Sequence, residues 1–352
     1  MSIFENSERT NLNEIGEFGL IKHLTQSVVL TQKSTVKGIG DDAAVLDFSD
    51  KRTLISTDLL LENVHFDLRY VPLKHLGYKA IQVNLSDIYA MNGIASQVTI
   101  SIGLSSKFPL EAVEEIYEGA LLACQNYNVD LIGGDTSTSA QGLVISVTSI
   151  GHADVDKIAY RSDAKEGDLI CVSGDLGGAY LGLQLLEREK QIFLDNPNIQ
   201  PDLEGKDYII ERQLKPEARK DIVELLASLD IKPHAMIDIS DGLASEILHI
   251  CRESNVGCKL YEDKIPIDPM TYETAREFGL DPTVCALSGG EDYELLFTVP
   301  QNNYEKLKNN MEISIIGHIT EPSAGCLLVS KSGNVHELKA QGWNAFKSEP
   351  NN

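Results

Sequence analysis

The chain has 352 residues, long enough for two domains of ordinary size, and its hydrophobic content of 42% is that of a globular protein. Acidic residues outnumber basic ones by 53 to 30, and the resulting formal charge of −23 argues against nucleic acid and anionic membranes as partners. No segment approaches the roughly 18 to 20 apolar residues of a membrane span. The first residues lack the basic and apolar regions of a signal peptide, so we expect a cytoplasmic location.

Helical and strand patterns alternate in the first half of the chain. The spacing of apolar residues predicts three helices, at Ile15–Leu30, Leu76–Met91 and Leu110–Tyr127. Segments rich in β-branched and aliphatic residues predict three strands, at Leu54–Ser56, Val98–Leu104 and Leu143–His152. This interleaving indicates one domain over residues 1–152.

A charged segment, Ala153–Gly167, separates this part from a second predicted domain over residues 153–352. That domain is predicted to begin with a strand at Asp168–Ser173 and a helix at Gly178–Arg188, before a Pro- and Asn-containing surface loop at 191–207. Later predicted elements are a helix at Leu243–Glu253 and strands at Gly257–Tyr261, Glu294–Val299, Ile313–Ile319 and Cys326–Ser330. Because the strands do not alternate regularly with helices, we expect two α+β domains and not a Rossmann sheet.

One pattern recurs five times: an apolar run stops at glycine, hydroxyl and aspartate residues. The five are GIGDD (38–42), LISTD (54–58), NLSD (84–87), LIGGDTS (131–137) and IDISDG (237–242). Carboxylates at the ends of buried elements are costly unless a positive charge lies among them. Mg²⁺ prefers oxygen ligands and bridges to nucleotide phosphates. The recurrence therefore predicts a metal–nucleotide site built from loops far apart in the sequence.

Each motif also has a purely structural interpretation. Asp42 could cap a turn, and Asp241 could cap the helix that follows it, whereas Asp238 has no such explanation. Asn84 and Asp87 are three residues apart on a predicted helix and so share one face, where a carboxylate needs a partner. The SGGEDY segment (288–293) is another glycine-hinged acidic turn, and it could direct Glu291 into a cleft.

Several familiar catalytic motifs are absent from the sequence. It contains no GxxxxGK[ST], no kinase catalytic loop and no GxSxG. The six cysteines form no CxxC, and several lie in apolar runs, so we expect reduced, buried thiols. A phosphoryl transfer run by the remaining residues would depend on metals and positioning, without a protein nucleophile or general base.

Taken together, the motifs resemble a known family. The order GIGDDAAV, STDLLLENVHF, KAIQVNLSDIYAMNG, LIGGDTS, AYRSDAKEGD, IDISDGL, SGGEDYEL and QGW is similar to that of the thiamine-monophosphate kinases, from about Glu14 to Phe346. The resemblance implies the two-domain α+β fold shared with aminoimidazole ribonucleotide synthetase and selenophosphate synthetase. It also implies a homodimer whose N-terminal domains pair into a β-barrel, and ATP-dependent phosphorylation of thiamine monophosphate with several Mg²⁺ ions.

The resemblance assigns roles to individual residues. The implied Mg²⁺ ligands are Asp42, Ser56, Thr57, Asp58, Asp87, Asp135, Asp238 and Asp241. The implied ATP contacts are Tyr117, Gly134, Asp135, Arg161 and Ser240. The implied thiamine monophosphate contacts are His65, Glu291 and Trp343.

Two alternative functions stay open at this stage. The first is another ATP-dependent reaction of the same superfamily. The selenide reaction would require a cysteine or selenocysteine in an N-terminal glycine-rich loop, where none precedes Cys124, and hydrogenase maturation would require a C-terminal cysteine, where this chain ends SEPNN. The second is a non-catalytic Mg²⁺- or nucleotide-binding module.

Overall fold

The computed structural model describes residues 35–37, 41–42, 44–47, 51–105 and 108–340. These residues form two sheets, one of six strands and one of seven, with helices packed against each. The predicted helix Ile15–Leu30 lies outside the described residues. Mixed, mainly antiparallel pairing in both sheets confirms the α+β prediction over a Rossmann arrangement. The domain boundary at residue 152 stays a prediction.

The first sheet is mainly antiparallel. Its strands are β1 (Thr35–Lys37), β2 (Ala44–Asp47), β3 (Lys51–Leu61), β4 (Ile94–Leu104), β5 (Asp130–Thr138) and β6 (Val144–Asp154). Their order in the sheet is β1-β2-β3-β6-β4-β5, and only the β4–β5 pair is parallel among these strands. The predicted strand Leu54–Ser56 is too short, because pairing with β6 continues to Leu61 and places the Ser-Thr-Asp motif inside β3.

Two helices cover this sheet, α1 (Leu73–Ala90) and α2 (Leu110–Tyr127). They cross closely, because a methyl group on Gly119 would overlap the carbonyl oxygen of Lys74. Nearly all of α1 is buried, including the polar residues Asn84 and Ser86. A helix this deeply buried packs tightly, and its buried polar groups must find partners inside the protein.

The GGD segment, which the sequence pattern placed in a loop after an apolar run, belongs to a strand. β5 runs through Gly134 and Asp135 and pairs in parallel with β4 as far as Leu104 and Thr138. Glycine is required at 134, because a Cβ there would overlap the carbonyl oxygen of Ile100. This close backbone approach outweighs the weak strand propensity of glycine. β5 forms an edge of the sheet, and its side chains are mostly exposed.

The second sheet has the order β13-β12-β9-β11-β7-β10-β8. Its strands are β7 (Leu169–Ser173), β8 (Ala235–Asp238), β9 (Gly257–Tyr261), β10 (Leu295–Val299), β11 (Ile313–Thr320), β12 (Cys326–Val329) and β13 (Val335–Glu337). The accompanying helices are α3 (Gly178–Asp195), α4 (Asp207–Leu214), α5 (Lys220–Ser228), α6 (Leu243–Ser254), α7 (Pro269–Glu277), α8 (Pro282–Ser288) and α9 (Tyr304–Leu307).

Sequence reasoning placed most of these strands but missed several short elements. The strand β8 and the helices α4, α5, α7 and α8 were not predicted, since each is only 4 to 9 residues long and depends on tertiary packing. The helix predicted at Gly178–Arg188 continues to Asp195, which shortens the predicted 191–207 loop at both ends. Among the described residues, none of the helices has the length and apolar character that a membrane crossing demands.

Candidate active site

A large cleft of about 1290 Å³ lies where the first sheet and α1 meet β8 and the loops that follow it. Most of the predicted site residues line this cleft, although they come from segments up to 249 positions apart. They are Asp42, Ser56, Thr57, Asp58, His65, Asp87, Arg161, Asp238, Ser240, Asp241 and Glu291. The fold therefore brings into one cleft residues that the sequence could identify only by their chemical type.

Three carboxylates of the cleft lie close enough together to hold one metal ion. Each of Asp42, Asp87 and Asp238 offers an oxygen, and these oxygens lie within 4.8 Å of one another. Burial raises the pKa of all three, that of Asp238 to about 7. Repulsion from other carboxylates adds to the effect, from Asp41 at Asp42, and from Asp42 and Asp58 at both Asp87 and Asp238. Burial and the charge of Asp42 also raise the pKa of Asp58, to about 6. Such clustering disfavours ionisation unless a cation is present.

The donor set fits a hard divalent cation. It consists of oxygen atoms only, from carboxylates and from the hydroxyl of Ser56, whereas sulfur and imidazole ligands would indicate zinc or copper. Oxygen-rich sites of this kind suit Mg²⁺, which retains several waters and bridges to phosphate. A cation held by these oxygens can neutralise a polyphosphate that enters the cleft.

Hydrogen bonds hold these carboxylates in place across the two halves of the molecule. The Ser56 hydroxyl, on β3, donates to Asp87 on α1. The Ser86 hydroxyl, also on α1, donates to Asp238 at the end of β8 over 2.5 Å. The backbone N–H of Asp58 donates to the side-chain oxygen of Asn84 over 3.0 Å. Helix α1 thus links both sheets at the cleft, and the predicted one-face placement of Asn84 and Asp87 is confirmed.

Arg161 supplies a positive charge at the cluster. Its guanidinium forms an ion pair with Asp42, and its backbone N–H donates to Asp41 over 2.9 Å. Arg161 opposes the effect of burial on the Asp42 carboxyl and so keeps the pKa of Asp42 lower than burial alone would set it. It also joins the segment after β6 to the loop between β1 and β2.

The predicted acidic turn at 288–293 runs beside the end of β8. The backbone N–H of Glu291 donates to the carbonyl of Ser240 over 2.7 Å. Glu291 has a φ of 67°, a left-handed conformation that a non-glycine residue adopts at a cost. Its carboxylate accepts from Lys79 over 3.1 Å and from Gln213 over 2.7 Å. These contacts fix the carboxylate of Glu291 at the wall of the cleft.

Lys79 and Glu246 are functional candidates that sequence reasoning missed. Lys79 is a buried lysine in α1, and its charge is compensated by Glu291. Glu246, in α6, accepts from the backbone N–H of Asp241 over 3.0 Å, and burial raises its pKa well above the ordinary value. A charged residue inside an apolar helical pattern was the available signal for both.

The loop after β3 also lines the cleft. In this loop the Nδ1 atom of His65 accepts from the backbone N–H of Leu61 over 3.0 Å, so the neutral imidazole carries its hydrogen on Nε2. Asp67 binds both Arg69 and Lys190, and the Arg69 guanidinium holds the pKa of Asp67 down at about 2. Lys190 belongs to α3, so these ion pairs tie the loop to the second half of the chain.

Three predicted ATP contacts are not brought into the cleft of a single chain. Tyr117 lies on α2, and Gly134 and Asp135 lie on the exposed edge strand β5; none of the three lines the cleft. Asp135 was also a predicted metal ligand, and it is exposed. Trp343 lies outside the described residues, so its proposed contact with the substrate stays a prediction.

Family models match both halves of the chain. The model for the N-terminal domain of AIR synthase related proteins matches residues 40–153, and the model for the C-terminal domain matches residues 165–328. The fold and the cleft therefore define a two-domain protein of the AIR synthase related class.

Individual relatives narrow this class. The thiamine-monophosphate kinase of Bacillus subtilis is 34% identical over 340 residues, which are 94% of this chain and 99% of that protein. The thiamine-monophosphate kinase of Aquifex aeolicus is 33% identical over 95% of this chain and 99% of its own length. The solved structure of AaThiL complexed with AMPPCP and TMP matches with a TM-score of 0.83 and 33% identity, over 97% of this chain and all of that one. The chain belongs to the thiamine-monophosphate kinase family.

Proposed function

We propose that this protein transfers the γ-phosphoryl group of ATP to thiamine monophosphate, which gives thiamine diphosphate and ADP. The observation that supports this most directly is the cluster of Asp42, Asp87 and Asp238 at the floor of a cleft large enough for two substrates. The relatives are named for this activity, and AaThiL is similar over nearly its whole length and binds AMPPCP and TMP.

The acceptor needs no protein base, because a phosphate oxygen of thiamine monophosphate is already ionised near neutral pH. The main obstacle is the repulsion between two polyanions, and bound Mg²⁺ would supply the neutralising charge. We assign its ligands to Asp42, Ser56, Thr57, Asp58, Asp87, Asp238 and Asp241, together with Asp135.

The protein's own groups hold and align the substrates in this proposal. Arg161 and Ser240 contact the nucleotide from the cleft wall, and the Arg161–Asp42 ion pair sets the position of one proposed metal ligand. His65 and Glu291 face the acceptor end, where Lys79 and Gln213 restrain the Glu291 carboxylate. Restrained groups act by positioning, which is the main source of rate enhancement in a reaction with little covalent chemistry for the protein to do.

We further propose that the active form is a homodimer built through β5. This strand leaves a row of backbone hydrogen-bonding groups at the sheet edge, and Ile132 on it is 57% exposed. Pairing of two such edges would join the N-terminal sheets of two copies. The proposed roles of Tyr117, Gly134 and Asp135 require this dimer, because these residues lie outside the cleft of their own chain.

Measuring ADP release with and without thiamine monophosphate tests the function. We expect ADP to form rapidly only when thiamine monophosphate and Mg²⁺ are both present, together with an equal amount of thiamine diphosphate. Asp238→Asn is expected to lose nearly all of this activity, whereas Asp195→Asn, at the exposed end of α3, is expected to keep it. ADP release that is independent of thiamine monophosphate would favour another reaction of the superfamily, and nucleotide binding without turnover would favour a binding module.

Sedimentation of Ile132→Glu tests the dimer. We expect the wild type to sediment as a dimer at micromolar concentration and Ile132→Glu to dissociate, because a charge in the paired edge would lose its hydration. Met311→Glu is the control, since Met311 is 97% exposed in the second half of the chain. A wild-type mass near the 38.6 kDa of one chain would refute the proposed assembly.

A further inference from the structure

Three cysteines that are scattered in the sequence meet in the second half of the molecule. Cys251, Cys258 and Cys326 place their sulfur atoms within 4.8 Å of one another. Cys251 and Cys258 are buried, and Cys326 is half-buried. None of the three lines the cleft, so the cluster is separate from the proposed active site.

The backbone holds this arrangement from three different elements. Cys258 on β9 and Cys326 on β12 are direct neighbours in a parallel ladder. The N–H of Cys258 also donates to the carbonyl of Gly325 over 3.1 Å. Cys251 belongs to the last turns of α6, which ends close to the start of β9 because the N–H of Val256 returns to the carbonyl of Cys251 over 2.9 Å. The three thiols are therefore positioned by secondary structure.

The spacing suits a single ion bound by three sulfurs. A metal–sulfur distance of roughly 2.3 Å holds the sulfurs of a planar trigonal site roughly 4 Å apart, and those of a pyramidal site somewhat closer. Since the sulfurs already lie within 4.8 Å of each other, small side-chain rotations suffice to close the site. Among the described residues, the donor group comprises only thiols, and sulfur-only donors select soft, thiophilic ions.

We propose that Cys251, Cys258 and Cys326 form a three-sulfur binding site for a thiophilic ion. The surroundings favour an ion whose charge the three thiolates cancel, because Cys251 and Cys258 belong to an apolar core and net charge is costly there. A trivalent ion such as arsenic(III) gives a neutral site, whereas Zn²⁺ leaves one negative charge. The half-buried Cys326 provides the way in from solvent.

The binding step exchanges ligands without redox change. When arsenous acid reacts with the three thiols, three As–O bonds and three S–H bonds break, three As–S bonds form, and three water molecules leave. Arsenic stays in the trivalent state throughout. With Zn²⁺ the three thiols instead release three protons to the solvent, so that affinity for Zn²⁺ rises with pH.

The test uses the full chain, reduced with a phosphine and incubated with arsenite, and in parallel with Zn²⁺. We expect one arsenic atom per chain after gel filtration, bound more tightly than Zn²⁺, and X-ray absorption that shows three sulfur neighbours. Cys326→Ala is expected to weaken arsenic binding at least tenfold, because it leaves two ligands. Cys285→Ala is the matched control, since Cys285 is buried in α8 away from the cluster and its loss should leave binding unchanged.

Several results would overturn the proposal. They are the absence of retained arsenic in the wild type, oxygen atoms among the arsenic neighbours, and equal binding by wild type and Cys326→Ala. If Cys326→Ala does not fold, Cys326→Ser replaces it, and the count of sulfur neighbours in the wild type decides the question by itself. Because none of these cysteines lines the cleft, Cys326→Ala is also expected to keep its phosphoryl transfer activity.

Discussion

Replacing Asp87 with asparagine is expected to stabilise the metal-free protein while it abolishes phosphoryl transfer. The carboxylate of Asp87 lies within 4.8 Å of those of Asp42 and Asp238. Two unit charges at that separation repel by about 3.5 kcal/mol at an effective dielectric constant of 20. Asparagine has the same shape and can still accept the hydrogen bond from Ser56, so the exchange removes the charge without leaving a cavity.

The gain in stability expected for Asp87→Asn is smaller than the sum of the repulsions from Asp42 and Asp238. Partial protonation of the carboxyls and the positive charge of Arg161 already relieve part of these repulsions. Burial and the neighbouring carboxylates raise the pKa of Asp87 well above the ordinary value of 3.8. A carboxyl whose pKa is raised in the folded state lowers the free energy of unfolding at every pH above its unfolded pKa, by an amount that grows until the folded pKa is reached, and has no effect below the unfolded pKa. We therefore expect a stabilisation of about 2 to 3 kcal/mol at pH 8 that disappears as the pH falls towards 4.

Thermal unfolding in the presence of a chelator measures this effect. A gain of that size corresponds to a rise in Tm of roughly 4–12 °C for a unit of 150–250 residues. Asp195→Asn is the control, because it removes an exposed carboxylate and should leave Tm unchanged. An Asp87→Asn protein that melts at or below the wild-type temperature in chelator would refute the repulsion argument. Near-native turnover at saturating Mg²⁺ would refute the proposed ligand role.

Three further predictions follow from the site and the core. Mg²⁺ and ATP together should raise Tm far more than either alone. At a hundred times its dissociation constant, the MgATP complex should add about 2.7 kcal/mol to the free energy of unfolding. Equal melting in ATP with chelator or with Mg²⁺ would contradict this. Trp343→Ala should raise KM for thiamine monophosphate, with smaller changes in kcat and in KM for ATP, because the proposed stacking on the thiazolium would act on ground and transition state alike. An unchanged KM would argue for a structural role. Gly119→Ala should destabilise the protein by about 3 kcal/mol or more, since α1 and α2 must separate to admit the methyl group, and chemical denaturation should show no such loss in the exposed control Glu118→Ala.

The sequence by itself predicted the chemistry of the proposed site. Aspartates next to hydroxyls and glycines, in a chain with no P-loop, indicated a metal-dependent nucleotide site. It also determined the long elements, because α2 and most of β6 carry their own apolar periodicity and predicted their bounds within two residues. Local patterns of this kind need no knowledge of what packs against them.

Only the tertiary structure decided which of these residues meet. The sequence pattern placed the GGD segment in a loop, yet it pairs with β4 as an edge strand, and Asp135 lies outside the cleft of its own chain. Lys79 is recognisable as a candidate only once its partner Glu291, 212 positions later, is seen beside it. Cys251, Cys258 and Cys326 likewise show no ligand spacing along the chain and become one sulfur cluster through the β9–β12 pairing. Contacts between distant segments depend on how whole elements pack, and the pattern of residues within any one element does not contain that information.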